Sequence, residues 1–345
     1  MPTPAATLAA AVAAAETPGN VVDTRLGVAA SVAAELAGAE PVVTALVVGS
    51  TALRRCSPSA DLDLVVVTDR PPGRQRFCTR WVDGMRVEIE RLSRRRSLAA
   101  TRGDGWVWQL REAARLGTGL PVLDPTGFGA RLGTRAAAMA PSPDRYEATL
   151  RAVYLALMDL AGQPDGSLRA DRLRGCLDNL ALLALLERPR RYQKPKWVLA
   201  DLLHAGEDGL AEALLAAYGT GDALDAARSL VDAVYAAAGV PPHDEVLAMG
   251  YAPRWAEASY VSRTLDDAED LLHSGRVVEA AYVARFAARL AGGLLGGPGG
   301  LVEAFAAREL DGGYLALFEG TEGAGGDLLA AALAAADGRR HTMAA

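Results

Sequence analysis

Near residue 140 the hydrophobic pattern of this chain changes its period. Before it, apolar residues come in short β-branched runs; after it, they recur in long Ala/Leu segments at helical spacing. A strand repeats every ~2 residues and a helix every ~3.6, so the two patterns cannot belong to one kind of element. Their order predicts an α+β chain, a small mixed sheet followed by a helical bundle packed behind it. The 345 residues suit two domains at the usual size of about 100–200 residues each. Pro141 and Pro143 mark the linker, which gives domains over 1–140 and 141–345.

Within the first part, the first forty residues read as helix, with a clear helical stripe from Val22 to Leu36 that Pro41 stops. Val42 to Val48 reads as a buried strand and Leu62 to Val67 as a second. Pro71-Pro72-Gly73 is a turn, and Arg76 to Val82 with Met85 to Leu92 forms a hairpin about Asp83-Gly84. A helix is expected over Gly105 to Leu116. Leu120 to Leu123 is a short last strand, ended by Asp124-Pro125-Thr126-Gly127. Beyond the linker, helices are expected at Asp144 to Ala161, Ala170 to Glu187, Lys196 to Ala205, Leu210 to Ala217, Ala223 to Ala238, Trp255 to His273 and Val277 to Leu295. The Gly/Ala-rich tail from Gly320 is expected to fray.

Several classes of protein are disfavoured. Cys56, Cys78 and Cys176 form no CxxC pair, and the four histidines show no HExxH spacing, which argues against zinc and against a disulfide scaffold. Met1 to Glu16 has no basic residue before its apolar stretch, and Leu290 to Leu301 is too short to span a bilayer, so a cytoplasmic protein with no membrane partner is expected. A formal charge of −6 weighs against nucleic acid as a partner. Lys and Arg together number 36, yet the only lysines are Lys194 and Lys196. Two lysines kept in one tripeptide of an arginine-rich chain point to a place that needs a compact ammonium.

The chemistry concentrates in Val47-Val48-Gly49-Ser50, ten residues, then Asp61-Leu62-Asp63-Leu64-Val65-Val66. Acids at i and i+2 on a strand share one face, with Leu62 and Leu64 turned into the core. Two carboxylates on an otherwise apolar strand repel each other unless a cation lies between them, and hard oxygens suit Mg²⁺. A Gly-Ser turn at a strand end can cradle phosphate through its N–H groups and hydroxyl. The hairpin supplies further acids, Glu88 and Glu90, on a common face with Val87 and Ile89 on the other. Arg54 and Arg55 follow the Gly-Ser turn, Arg94-Arg95-Arg96 reads as a solvated strand end, and Asp178 with Asn179 as a polar helix face.

This order of Gly-Ser, Asp-x-Asp and a later strand acid resembles the DNA polymerase β-type nucleotidyltransferase superfamily. Its spacing is similar to that of the antibiotic nucleotidyltransferases acting on kanamycin, streptomycin and lincosamides. Gly119 to Pro125 resembles the strand that closes the family's catalytic domain, and Arg191 to Trp197 resembles a Tyr-x-x-x-Lys-Trp element that several bacterial members carry in a helical C-terminal domain. The sequence departs from the family at Ala60, where Ser is usual; Ser59 is one step earlier. The resemblance implies transfer of a nucleoside monophosphate, AMP from ATP, to a hydroxyl of an antibiotic or natural-product precursor, with pyrophosphate released. It implies two Mg²⁺ ions on Asp61, Asp63 and Glu88, and triphosphate contacts from Gly49, Ser50, Arg55, Lys194 and Lys196. Glu88 is the first choice as base and Glu90 the fallback. A monomer or homodimer is expected. A nucleotidyltransferase directed at a protein or tRNA, and an inactive nucleotide-binding module, are the alternatives.

Overall fold

The computed structural model describes residues 17–56, 60–70, 76–188, 194–249, 253–296, 301–319, 321 and 325–344. Ser59, the Pro71-Pro72-Gly73 turn and the Arg191-Tyr192-Gln193 stretch lie outside the described residues, as does Met1 to Glu16. The chain forms two compact units. One contains the described residues of Ala10–Tyr146 and Leu185–Gln193, the other those of Glu147–Ala184 and Lys194–Ala345.

The first unit is a five-stranded mixed sheet with helices on both faces. Its strands are β1 (Val42–Val47), β2 (Leu62–Thr68), β3 (Phe77–Val82), β4 (Met85–Ser93) and β5 (Leu120–Leu123), in the order β3-β4-β2-β1-β5. β2 is central. Its run Leu62 to Thr68 is buried apart from Asp63, as expected of a strand covered on both sides. It pairs antiparallel with β1 and parallel with β4. β3 and β4 are joined at Asp83-Gly84, whose φ values of 50° and 75° suit the tight hairpin turn that Asp-Gly favours. Pro121, which has no N–H to give, sits in β5 at the sheet edge.

Helix α1 (Gly19–Ala39) lays Val22, Ala29, Val32, Ala33 and Leu36 inward. Ala29, Val32, Ala33 and Leu36 pack on Ala45, Val47, Leu62, Leu64, Val66, Val87 and Ile89. The opposite face carries Leu46, Val48, Val65, Val67 and Leu92 against Leu116, Phe128 and Leu132. These last three come from two helices, one expected (Val107–Gly117) and one not (Phe128–Ala137). Asp124-Pro125-Thr126-Gly127 proves to be a helix start as well as a strand end. The Asp124 carboxylate accepts the N–H groups of Gly129 at 3.0 Å and Ala130 at 3.3 Å, satisfying donors that a helix start leaves open. Arg94-Arg95-Arg96 is likewise corrected. It opens a helix, Arg94–Ala100, whose cap Ser93 accepts the Arg96 N–H at 3.2 Å.

The second unit is helical in the described residues. Its longer helices match the expected ones within a few residues, from Ser167–Leu186 through Asp208–Tyr218 and Leu224–Ala238 to Ala256–His273 and Val277–Gly292. Lys196 to Ala205 is not one helix, since Pro195 sets a 3₁₀ turn, Pro195–Trp197, before Val198–His204. Among the described residues of the tail, Gly325–Ala344 is helical rather than frayed, in keeping with its alanine content, and Ala332 and Ala336 are buried. Asp178 is no solvated face. Its carboxylate takes hydrogen bonds from Tyr218 Oη at 2.6 Å and Arg289 Nη1 at 2.5 Å. Arg289 also bonds Asp171 Oδ1 at 3.0 Å, forming a polar centre within the bundle. Trp197 is a core residue, as its apolar surroundings in the sequence suggest.

Candidate active site

The site lies at the start of the central strand. Asp61 directly precedes β2 and Asp63 is its second residue. Alternation sends Leu62 and Leu64 to the α1 face and leaves both aspartates on the other. Parallel pairing sets Glu88 directly beside Asp63. One carboxylate oxygen of each of Asp61, Asp63 and Glu88 lies within 4.8 Å of the others, and all three residues are half-buried. Three carboxylates this close repel each other unless a cation relieves them. Arg86, two residues before Glu88 on the same face, donates to Glu88 Oε1 at 2.5 Å. The donor set is all oxygen and open to water, which fits a magnesium-type ion.

The Gly-Ser turn is pressed against this cluster. Val48 N–H donates to the Asp63 carbonyl at 2.9 Å. The chain then turns through Gly49, at φ +68°, where a Cβ would lie 2.2 Å from Asp63 Oδ2. Glycine takes this conformation without strain and leaves the Asp63 carboxylate where it lies. Ser50 follows, half-buried, and its carbonyl accepts the Arg55 N–H at 2.8 Å. The sequence-predicted residues Gly49, Ser50, Asp61, Asp63 and Glu88 are thus gathered at one end of the sheet, with Arg55 on the adjoining loop.

Arg25 holds the two halves of the site together, and sequence reasoning missed it. It sits inside the apolar stripe of α1 and is only 3% exposed. Its guanidinium donates to the carbonyls of Ala60 at 2.9 Å and Asp61 at 3.2 Å, and to Thr51 Oγ1 at 3.4 Å. The loop before β2 is therefore tied to the turn after β1. The available signal was an arginine at a stripe position between Val22 and Ala29.

The structure separates the two hairpin glutamates. Glu90 pairs with Val65 rather than with an aspartate. Arg76 Nη2 and Arg115 Nη2 each lie 2.5 Å from its oxygens. Burial alone would lower the Arg115 pKa, but Glu112 and Glu90 beside it raise it. Burial works against ionised Glu112 too, and Arg115 outweighs it, leaving Glu112 below the usual carboxylate range. Glu90 is thus held between Arg76 and Arg115, away from the aspartates.

Lys194 and Lys196 belong to the helical unit. Lys194 is exposed. Lys196 is ion-paired with Asp267, and its ammonium lies 5.6 Å from the Trp197 ring centre.

No family model matches the chain, and no curated protein matches it. Among solved structures it is similar to a nucleotidyltransferase-like protein from Exiguobacterium sibiricum 255-15. The identity is 12% over 75% of this chain and 78% of that chain, with a TM-score of 0.32. No helix among the described residues is long and apolar enough to cross a membrane.

Proposed function

We propose that this chain is a nucleotidyltransferase. It moves a nucleoside monophosphate, AMP from ATP, to a hydroxyl of a small molecule such as an antibiotic or natural-product precursor. The observation that carries this reading is the junction of two features: the Asp61–Asp63–Glu88 cluster and a Gly49-Ser50 turn that touches Asp63. Carboxylates alone would describe a cation site. A phosphate-cradling turn in contact with them describes a site for a cation-bound triphosphate.

In this reading the Gly49 and Ser50 N–H groups and the Ser50 hydroxyl hold the β- and γ-phosphates, and Arg55 adds charge on the adjoining loop. Asp61, Asp63 and Glu88 would hold magnesium, which when bound would neutralise phosphate charge and lower the pKa of the attacking hydroxyl. The acceptor oxygen bonds to the α-phosphorus. The bond to the bridging oxygen breaks, and pyrophosphate leaves with that electron pair. Glu88 takes the hydroxyl proton, because its strand places it beside Asp63. Glu90 keeps the wall of the site in place through Arg76 and Arg115.

A thermal-shift screen of the four nucleoside triphosphates with Mg²⁺ tests the reading, followed by mass analysis of an acceptor panel. We expect one Mg–NTP to raise the melting temperature of the wild-type chain. Asp63→Asn should lose that shift and all transfer while keeping the ligand-free melting temperature, since it relieves carboxylate repulsion. A wild-type chain unmoved by every Mg–NTP, or an Asp63→Asn variant that transfers normally, would overturn it.

A further inference from the structure

The strand registers lay out the face of the sheet around the acids. Asp63 lies beside Glu88 on β4, and Glu88 beside Thr79 on β3. Toward the start of β2 the register ends with Leu62 beside Val87, Asp61 coming just before it, and on the hairpin Arg86 pairs with Trp81. One step the other way, Val65 lies beside Glu90, and Glu90 beside Phe77. Directly paired residues project to the same side of a sheet. Phe77, Thr79 and Trp81 therefore share the face of the acids, while Cys78 and Val82 pack toward the α1 side.

Two of these three are the exposed aromatics of the edge strand, Phe77 at 59% and Trp81 at 72%. The Phe77 ring is capped by Arg76 at 4.7 Å. Trp81 has no ring or cation contact among the described residues. An indole has about 150–250 Å² of largely apolar surface to bury. Left in water on an unpaired sheet edge it invites non-specific association. Thr79, small and exposed, stands on that face between the two rings and beside Glu88, so no bulky β3 side chain fills the space between Trp81 and Phe77.

The direction of the reaction says what that space receives. In phosphoryl-type transfer the attacking and leaving oxygens are roughly in line across the phosphorus. The Gly49-Ser50 turn follows β1, on one flank of β2, and takes the pyrophosphate end. The incoming hydroxyl must then arrive from the other flank, over β4 and β3. We infer that Trp81 is a stacking platform for the acceptor, and that the acceptor is a hydroxyl compound with a flat ring face. Trp81 positions the ring, and Glu88, one row away, meets the hydroxyl.

This inference rests on the nucleotidyltransferase reading, and its test keeps the two apart. Wild type, Trp81→Ala and Trp81→Phe are compared in two measurements. The Mg–ATP thermal shift should be the same in all three, because Trp81 is on the acceptor flank. If wild type itself shows no shift, the function reading has failed instead. Ligand-observed NMR with Mg–ATP present then follows two probes, methyl β-glucopyranoside for a sugar face and benzyl alcohol for an aryl face. We expect wild type and Trp81→Phe to bind at least one probe. Trp81→Ala should bind it roughly tenfold more weakly, as loss of one ring stack implies. Whichever probe binds identifies the ring type. The inference is overturned if neither probe binds wild type, if Trp81→Ala binds as wild type does, or if Trp81→Ala changes only the oligomeric state on gel filtration.

Discussion

Gly49 couples the shape of a turn to the place of a carboxylate. An added methyl would meet the outer oxygen of Asp63, and that oxygen can rotate away more cheaply than the backbone can move. Gly49→Ala should therefore cost only about 1–2 kcal/mol of stability, from the left-handed φ. If the proposed metal site is correct, divalent-cation affinity should fall much further, because the displaced atom belongs to the Asp61–Asp63–Glu88 cluster. Calorimetric titration with Mn²⁺ beside a urea melt separates the two effects. Equal losses in both, or an intact Mn²⁺ affinity, would refute the coupling. At this scale the sequence carried much of the site. Asp61, Asp63 and Glu88 were legible because strand alternation and an i, i+2 spacing are local facts. Arg25 was not, because the carbonyls it bonds lie about 35 residues away and only the fold brings them together. The distinction between Glu88 and Glu90 was hidden for the same reason. Both share a face, and although the helix carrying Arg115 was expected, the local pattern does not say that it packs against Glu90.

Among the elements, those with an unbroken period were read well, such as β2 and the helix Leu224–Ala238. Those set by capping chemistry were not. Phe128–Ala137 begins behind an Asp-Pro-Thr-Gly that also ends a strand, and Pro195 opens a 3₁₀ turn that takes up the first residues of the helix expected from Lys196. The short helix His243–Ala248 was missed as well, and it carries a pH dependence. The His243 ring is buried, its Nδ1 has no partner, and its backbone N–H donates to Asp232 Oδ1 at 3.0 Å. Burial pushes its pKa below the ordinary value, against the opposite pull of Asp244 and with help from Arg228. The unfolded chain thus takes up this proton near pH ~6.5, and the folded chain only at lower pH. In that window the unfolded state binds more protons, so stability falls as pH drops. Melting temperatures measured from neutral pH downward should decline less steeply for His243→Gln than for wild type. Parallel slopes would show that His243 does not contribute.

For the whole molecule, the two compact units are not two consecutive lengths of chain. The sheet unit takes back Leu185–Gln193 after the chain has entered the helical unit. Within it, Tyr146 hydrogen-bonds Glu187, and Leu185 and Leu186 are buried. A fragment stopping at residue 140 lacks all four side chains. We expect it to melt below the sheet unit of the intact chain and to bind a hydrophobic dye, as followed by near-UV dichroism and dye fluorescence. An identical, cooperative transition in the fragment would show that the returning segment is dispensable.

The lysine distribution has a practical side. Apart from the α-amino group, the chain offers two amines, two positions apart on one short stretch of the helical unit. Lys194 is exposed, whereas Lys196 is held by Asp267 and lies over an indole. An amine-selective acylating dye should mark Lys194 ahead of Lys196, giving a spectroscopic reporter at a known address without any engineered cysteine.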